Sequence, residues 1–196
     1  MSQPDSWRCR GTRTTAVLVL AIAGVLGVTG CSSDEPDPAA APTTSAGTEG
    51  ASSPAAQAVE AGLAKHVGGD LIGASADYRQ ALQTEPDNVL ALYNLGLIAQ
   101  TDGDVAGAEN RYRAVLQVDP DYQPAVFNLA ILRKGAGNAA EAEQLYRRAI
   151  ALRPDDAGAH LNLGLLLRET GKKTEGDAEV ATALELNSEL VDPAPA

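Results

Sequence analysis

A proline followed by an aspartate stands at Pro86, Pro120 and Pro154, 34 residues apart, and the residues between these marks repeat with them. Gly69, Gly103, Gly137 and Gly171 share one phase, Tyr78, Tyr112 and Tyr146 a second, and Asn94, Asn128 and Asn162 a third. A fixed period of this length constrains the fold strongly, because each unit is too small to bury its apolar face alone and must stack on its neighbours. Four units tile the chain without a gap: 55–88, 89–122, 123–156 and 157–190. In the second, Leu92, Leu95, Gly96 and Ala99 fall at helical spacing, and Ala108, Tyr112, Val115 and Leu116 do so again. The period of the apolar residues therefore predicts two helices per unit and an all-α fold.

Each recurring position has a physical task. Small residues at Gly62, Gly96, Ala130 and Gly164 let paired helices approach, with the tyrosines filling the space beside them. The glycines at 69, 103, 137 and 171 suit the left-handed conformation that ends a helix and turns the chain. Proline then stops each second helix, and Asp87-Asn88, Asp121 or Asp155-Asp156 can cap the next one. On the second helices Glu109 and Arg113, and Glu143 and Arg147, form i,i+4 pairs in the favourable order, predicting a self-paired solvated face; Arg79 has only Ser75 in the matching place.

The set Leu92, Leu95, Gly96, Ala108, Tyr112 and Pro120, repeated as Val126, Leu129, Ala130, Ala142, Tyr146 and Pro154, resembles the tetratricopeptide repeat. The resemblance implies a helix-turn-helix solenoid whose first helices line a concave groove. In that family stacked asparagines hold the backbone of an extended peptide, so Asn94, Asn128 and Asn162 become candidate contacts. An amide side chain donates and accepts at once, which suits peptide groups of any sequence. Asparagine at this phase also has an internal role in the family, and both readings fit. Tyr93 and Phe127 directly precede two of these asparagines, Leu63, Leu97, Ile131 and Leu165 would add an apolar strip, and Lys134 and Arg168 would receive an acidic group. The family's carboxylate clamp requires a lysine and an asparagine on one first helix, where this chain has Tyr93 and Leu97. Departures gather at the ends: Ala58, Ala61 and Lys65 in the first unit, and Gly176, Val180 and Ser188 in the fourth.

The N-terminus carries a separate signal. Arg8, Arg10 and Arg13 precede the uncharged apolar stretch Ala16–Val28, and residues 28–31 read Val-Thr-Gly-Cys. This arrangement resembles the bacterial lipobox. The resemblance implies a signal peptide over 1–30, acylation of Cys31 with palmitate-like chains, and tethering to the extracytoplasmic face of the bacterial cytoplasmic membrane. An uncleaved signal anchor is the competing reading. Residues 31–54 lack large apolar side chains and are expected to form a disordered linker with a reach on the order of 25 Å. Residues 191–196 are expected to be a disordered tail.

Charge and composition narrow the function. The whole chain carries −11, and removing an N-terminal segment with three arginines and one acid, Asp5, makes the remainder more acidic still. Such a surface excludes nucleic acid as the expected partner. Of the two cysteines, Cys9 would leave with the signal peptide and Cys31 would be lipidated, leaving none for a disulfide or a metal. His66 and His160 are too few and too isolated to form a metal site, and no phosphate loop or nucleophile elbow is present. No cofactor and no enzymatic activity are expected. The expected function is a membrane-anchored scaffold that binds an extended segment of a protein partner. The alternative is self-association into a homo-oligomer through the last helix, by Val180, Ala183, Leu184 and Leu186; a remote alternative is an accessory role in a transferase system.

Overall fold

The computed structural model describes residues 52–193, so the signal peptide, Cys31 and nearly all of the expected linker lie outside the described residues. Among the described residues eight α-helices follow one another: α1 (Pro54–Val67), α2 (Leu71–Thr84), α3 (Val89–Thr101), α4 (Val105–Val118), α5 (Gln123–Gly135), α6 (Ala139–Leu152), α7 (Ala157–Glu169) and α8 (Lys173–Leu186). Each odd helix packs against the even helix that follows it, and each pair against the next. No strand occurs among the described residues.

The turn inside each pair is set by its glycine. Gly69, Gly103, Gly137 and Gly171 have φ of +82°, +78°, +79° and +87°. With the chain reversed there, the amides of Asp70, Asp104, Asn138 and Lys172 bond back to the carbonyls of Lys65, Ala99, Arg133 and Leu167 at 2.8–2.9 Å. Together with the preceding glycine amide, this closes a Schellman motif at the end of every first helix. Second helices end at Glu85, Asp119, Arg153 and Asn187, which leave the helical region. A following proline disfavours the α conformation in the first three cases. Asn187 adopts the same conformation before Ser188, so proline reinforces the stop without being required for it.

Asn88 and Asp156 cap α3 and α7, accepting from Ala91 at 3.0 Å and Ala159 at 2.9 Å. Asp121 does not cap α5, contrary to the sequence expectation. The cap phase is 88, 122 and 156, so Tyr122 occupies it and offers no side-chain bond. Asp121 sits one residue early, in phase with Asp87 and Asp155.

Tyr78, Tyr112 and Tyr146 are fully buried inside their helix pairs. Gly62 and Gly96 face the first two so closely that an added Cβ would lie 2.7 and 2.6 Å from the ring. The fourth unit solves the same problem differently. Val180 replaces the ring, and α7 and α8 close up until the backbones of Gly164 and Gly176 touch; a Cβ on Gly164 would stand 2.8 Å from the Gly176 carbonyl oxygen. Gly176 and Val180, departures in sequence, are thus matched to one another. Leu82 and Leu145 bridge neighbouring apolar clusters, so the core runs from pair to pair.

The acidic side chains of the second helices reach further than the i,i+4 reading supposed. Glu109 meets Arg113 at 2.6 Å and also Arg133 of the next unit. Glu143 accepts from Arg147 at 3.0 Å and from Lys172 of the next unit at 2.8 Å, and Arg147 continues to Glu175 at 2.6 Å. Lys172, with Arg147 second, holds the Glu143 carboxyl below the usual carboxylate range despite partial burial. These pairs tie one repeat to the next; each contributes modestly, because its partners are partly solvated.

Candidate binding surface on the first helices

The three asparagines sit at one phase of α3, α5 and α7, yet the structure treats them unequally. Asn94 is only 7% exposed, and its amide donates to the Leu90 carbonyl at 2.8 Å, one turn back in its own helix. Asn162 makes the same bond to Gly158 at 2.8 Å but is half-buried. Such back-bonding is an internal use of the side chain. Asn128, also half-buried, instead donates at 3.0 Å to the phenol oxygen of Tyr93 in the preceding unit. No described residue donates to the side-chain oxygen of Asn128 or Asn162, so each keeps an acceptor for a visiting amide.

The apolar neighbours are partly committed to the core. Tyr93 stacks edge-on against Tyr122, with ring centroids 5.2 Å apart, and lies 5.9 Å from Tyr112. Burial, with the neighbouring Tyr122 second, pushes its phenol up to about 12. Phe127 leans on Tyr146, and Leu97 and Ile131 pack at the margins of the second and third clusters. All four remain half-buried, so one flank of each faces outward.

Neither cation proposed from the sequence stands alone. Lys134 pairs with Glu169 at 2.9 Å. Arg168 binds Asp177 at 2.6 Å and spans both oxygens of Asp192 at 2.7 and 2.9 Å. Thus Asp192, in a segment read from sequence as unstructured, is held against the end of α7. An acidic ligand would have to displace these carboxylates. The self-association strip also shrinks: Val180 and Ala183 are buried inside the last pair, leaving Leu184 half-buried and Leu186 exposed. His160 is buried between the Glu179 carboxylate at 2.7 Å and the Pro154 carbonyl at 2.9 Å. Among the described residues no group of three His, Cys, Asp or Glu side chains converges as a metal site would require.

A set of contacts that the sequence reading did not draw lies beneath this face. The phenols of the buried tyrosines rise toward the phase of residues 66, 100 and 134. Tyr112 donates to Gln100 at 2.9 Å, and Tyr78 makes a long 3.5 Å contact with His66 Nδ1. Lys134, drawn to Glu169, leaves the buried Tyr146 hydroxyl without a partner. The identical 12-residue spacing of these pairs was the available signal. A buried unsatisfied hydroxyl costs about 1–3 kcal/mol, whereas an exposed ion pair contributes about 0–1 kcal/mol. Lys134→Gln, which restores the Gln100 arrangement, is therefore expected to stabilise the protein by about 1 kcal/mol, read as a higher urea midpoint at unchanged slope.

No helix among the described residues is long and apolar enough to cross a membrane. A search of curated proteins finds no match. Solved structures share the fold at low identity. A crystal structure of MamA is 18% identical, with a TM-score of 0.63 over 69% of this chain and 79% of that one. A MamA structure designated AMB-1 is 22% identical, with a TM-score of 0.58 over 70% of this chain and 75% of that one. The pilF protein of Pseudomonas aeruginosa is 23% identical, with a TM-score of 0.63 over 69% of this chain and 62% of that one. The family model described as TPR repeat matches residues 62–103 and 135–171, and the one described as Tetratricopeptide repeat matches residues 99–144. With matches running from the first helix pair into the last and four like-built pairs in sequence, this is a tetratricopeptide-repeat protein.

Proposed function

We propose that the protein is an interaction scaffold whose first-helix face binds an extended segment of another protein, and that it works on the outer side of a bacterial cytoplasmic membrane, anchored through Cys31. The observation that carries the binding reading is the pair Asn128 and Asn162. Each is half-buried at the same phase with a free amide oxygen, beside outward-facing flanks of Phe127 and Ile131. A peptide amide can donate to each oxygen, while apolar side chains of the peptide cover the strip between them. Repeat proteins of this kind commonly serve as protein-binding scaffolds, which supports the class of function. Anchoring rests on the three arginines, the apolar stretch and the Val-Thr-Gly-Cys motif of residues 28–31.

The test is crosslinking in cells with the full chain, followed by mass spectrometry, comparing the parent with Asn128→Ala/Asn162→Ala. A defined partner present with the parent and lost with the double variant is expected. Asn94→Ala serves as control, since its amide is buried and internally bonded; it should lower stability while sparing the partner. An unchanged partner set in a folded double variant would exclude this face. For the anchor, Cys31→Ser is expected to abolish incorporation of labelled palmitate and release the protein from the membrane fraction. Retention in the membrane without label would favour the signal anchor.

A further inference from the structure

The three junctions between repeats can be compared position by position on the second-helix side, and one differs. Between units two and three the seat is filled by Glu109, held by Arg113 and Arg133. Between units three and four it is filled by Glu143, held by Arg147 and Lys172. Between units one and two the equivalent residue is Ser75, buried and too short to cross the junction. Two adjoining hollows of about 190 and 180 Å³ lie there and share Ser75, Arg79, Ile98 and Asp102.

Three further departures converge on this opening. Arg79 occupies the phase of Arg113 and Arg147 but has no carboxylate partner among the described residues. Arg111 lines the second hollow, also without such a partner, where the later units carry Leu145 and Glu179. Ile72 is 87% exposed at the rim of the first hollow, where the later units carry Ala106, Ala140 and Thr174. Of the two acids nearby, Asp104 is committed to capping α4 through Gly107 at 2.9 Å. Among the described residues lining the hollows, Asp102 alone remains beside the two guanidinium groups, and neither pairs with it.

We infer that this junction is a docking site for an acidic segment of a partner protein, one glutamate of which takes the seat that Glu109 and Glu143 fill elsewhere in the chain. A carboxylate is the fitting anion because the chain itself places one in both sibling junctions. Two guanidinium groups, Arg79 exposed and Arg111 half-buried, offer it charge-assisted hydrogen bonds. An apolar residue beside that glutamate would cover Ile72. The site is built from α2, α4 and the end of α3, and its lining does not include Asn128 or Asn162, so its test is independent of the function proposed above.

The full chain, labelled with ¹⁵N-arginine and kept in a non-ionic detergent, is titrated with the peptide acetyl-ALEELA-amide and with acetyl-ALQQLA-amide as its neutral counterpart. The Nε–Hε signals of Arg79 and Arg111 are expected to shift saturably with the glutamate peptide. The glutamine peptide should bind about tenfold more weakly or less, the loss of one charged contact. Ser75→Glu supplies the missing carboxylate in cis; it should place the Arg79 signal near its bound position and remove the response to the peptide. Arg79→Gln/Arg111→Gln should also remove binding, which covers the case of a Ser75→Glu protein that melts early. Equal binding of the two peptides, equal shifts at all arginines, or full affinity in either folded variant would overturn the assignment.

Discussion

Gly164→Ala is expected to destabilise the last repeat by about 2–3 kcal/mol, while Gly96→Ala, at the same phase two repeats earlier, is expected to change stability by less than about 1 kcal/mol. Helix propensity favours alanine by about 1 kcal/mol at both sites, so packing decides the difference. At Gly96 the new methyl would meet the Tyr112 ring, whose edge lies 2.6 Å from the Cβ position. A ring can tilt by a few tenths of an ångström, and the third unit shows the accommodated result, since Ala130 already sits in the same cluster as Tyr146. At Gly164 the methyl would meet the Val180 side chain at 2.7 Å and also backbone: the Gly176 carbonyl oxygen at 2.8 Å and the Val180 nitrogen at 3.0 Å. Backbone cannot rotate aside, so α7 and α8 must separate along their length and loosen the packing of Leu163 and Leu167. Because a repeat stack is held by nearest-neighbour interfaces, the loss should appear as early melting of the terminal pair ahead of the remainder. Circular dichroism melts and hydrogen exchange of α7 and α8 would show it. Equal stability of the two variants would mean that the glycine contact does not hold the pair together.

That contact also shows where sequence reasoning reached and where it stopped. The 34-residue period was enough for the number of helices, the four turns and the buried tyrosines, because those depend on local spacing and on one conformationally demanding residue per turn. It was not enough for the end units. Gly176 and Val180 read as decay of the pattern when taken singly, and only their closeness to Gly164 shows them to be a substitute packing. Asn94, Asn128 and Asn162 were equivalent as letters, yet burial separates Asn94 from the other two. Periodicity assigns a residue to a face but not a depth along it. The reach of Glu109 to Arg133, and of Lys134 to Glu169, depends on the angle between successive pairs, which no local spacing encodes. For the same reason the open seat at Ser75 was visible in sequence only as a missing i,i+4 mate.

The tyrosines that fill the repeats should also make the protein fail sharply in alkali. All five have phenols raised above the ordinary value of 10, burial being the main cause in each. Tyr78 and Tyr93 are pushed to about 12. The raised folded value means that between pH 10 and 12 the native state keeps a proton that the unfolded chain releases. Stability is then unaffected below about pH 10 and falls as pH rises, by up to about 1.4 kcal/mol per pH unit for each such tyrosine. Tyr78 and Tyr93 together remove about 5 kcal/mol by pH 12, comparable with the whole stability of a typical domain. Cooperative unfolding between about pH 10 and 12 is therefore expected, with tyrosinate absorbance and loss of helical signal moving together. Tyrosinate forming near pH 10 in a chain that keeps its helices would show the rings to be accessible and the packing wrong. Tyr146→Phe sharpens the test: it deletes a hydroxyl that has no partner, so it should raise the alkaline midpoint without loss of stability at neutral pH. Tyr112→Phe should raise the midpoint too, but at a cost of about 1 kcal/mol at neutral pH, because the Gln100 hydrogen bond goes with it.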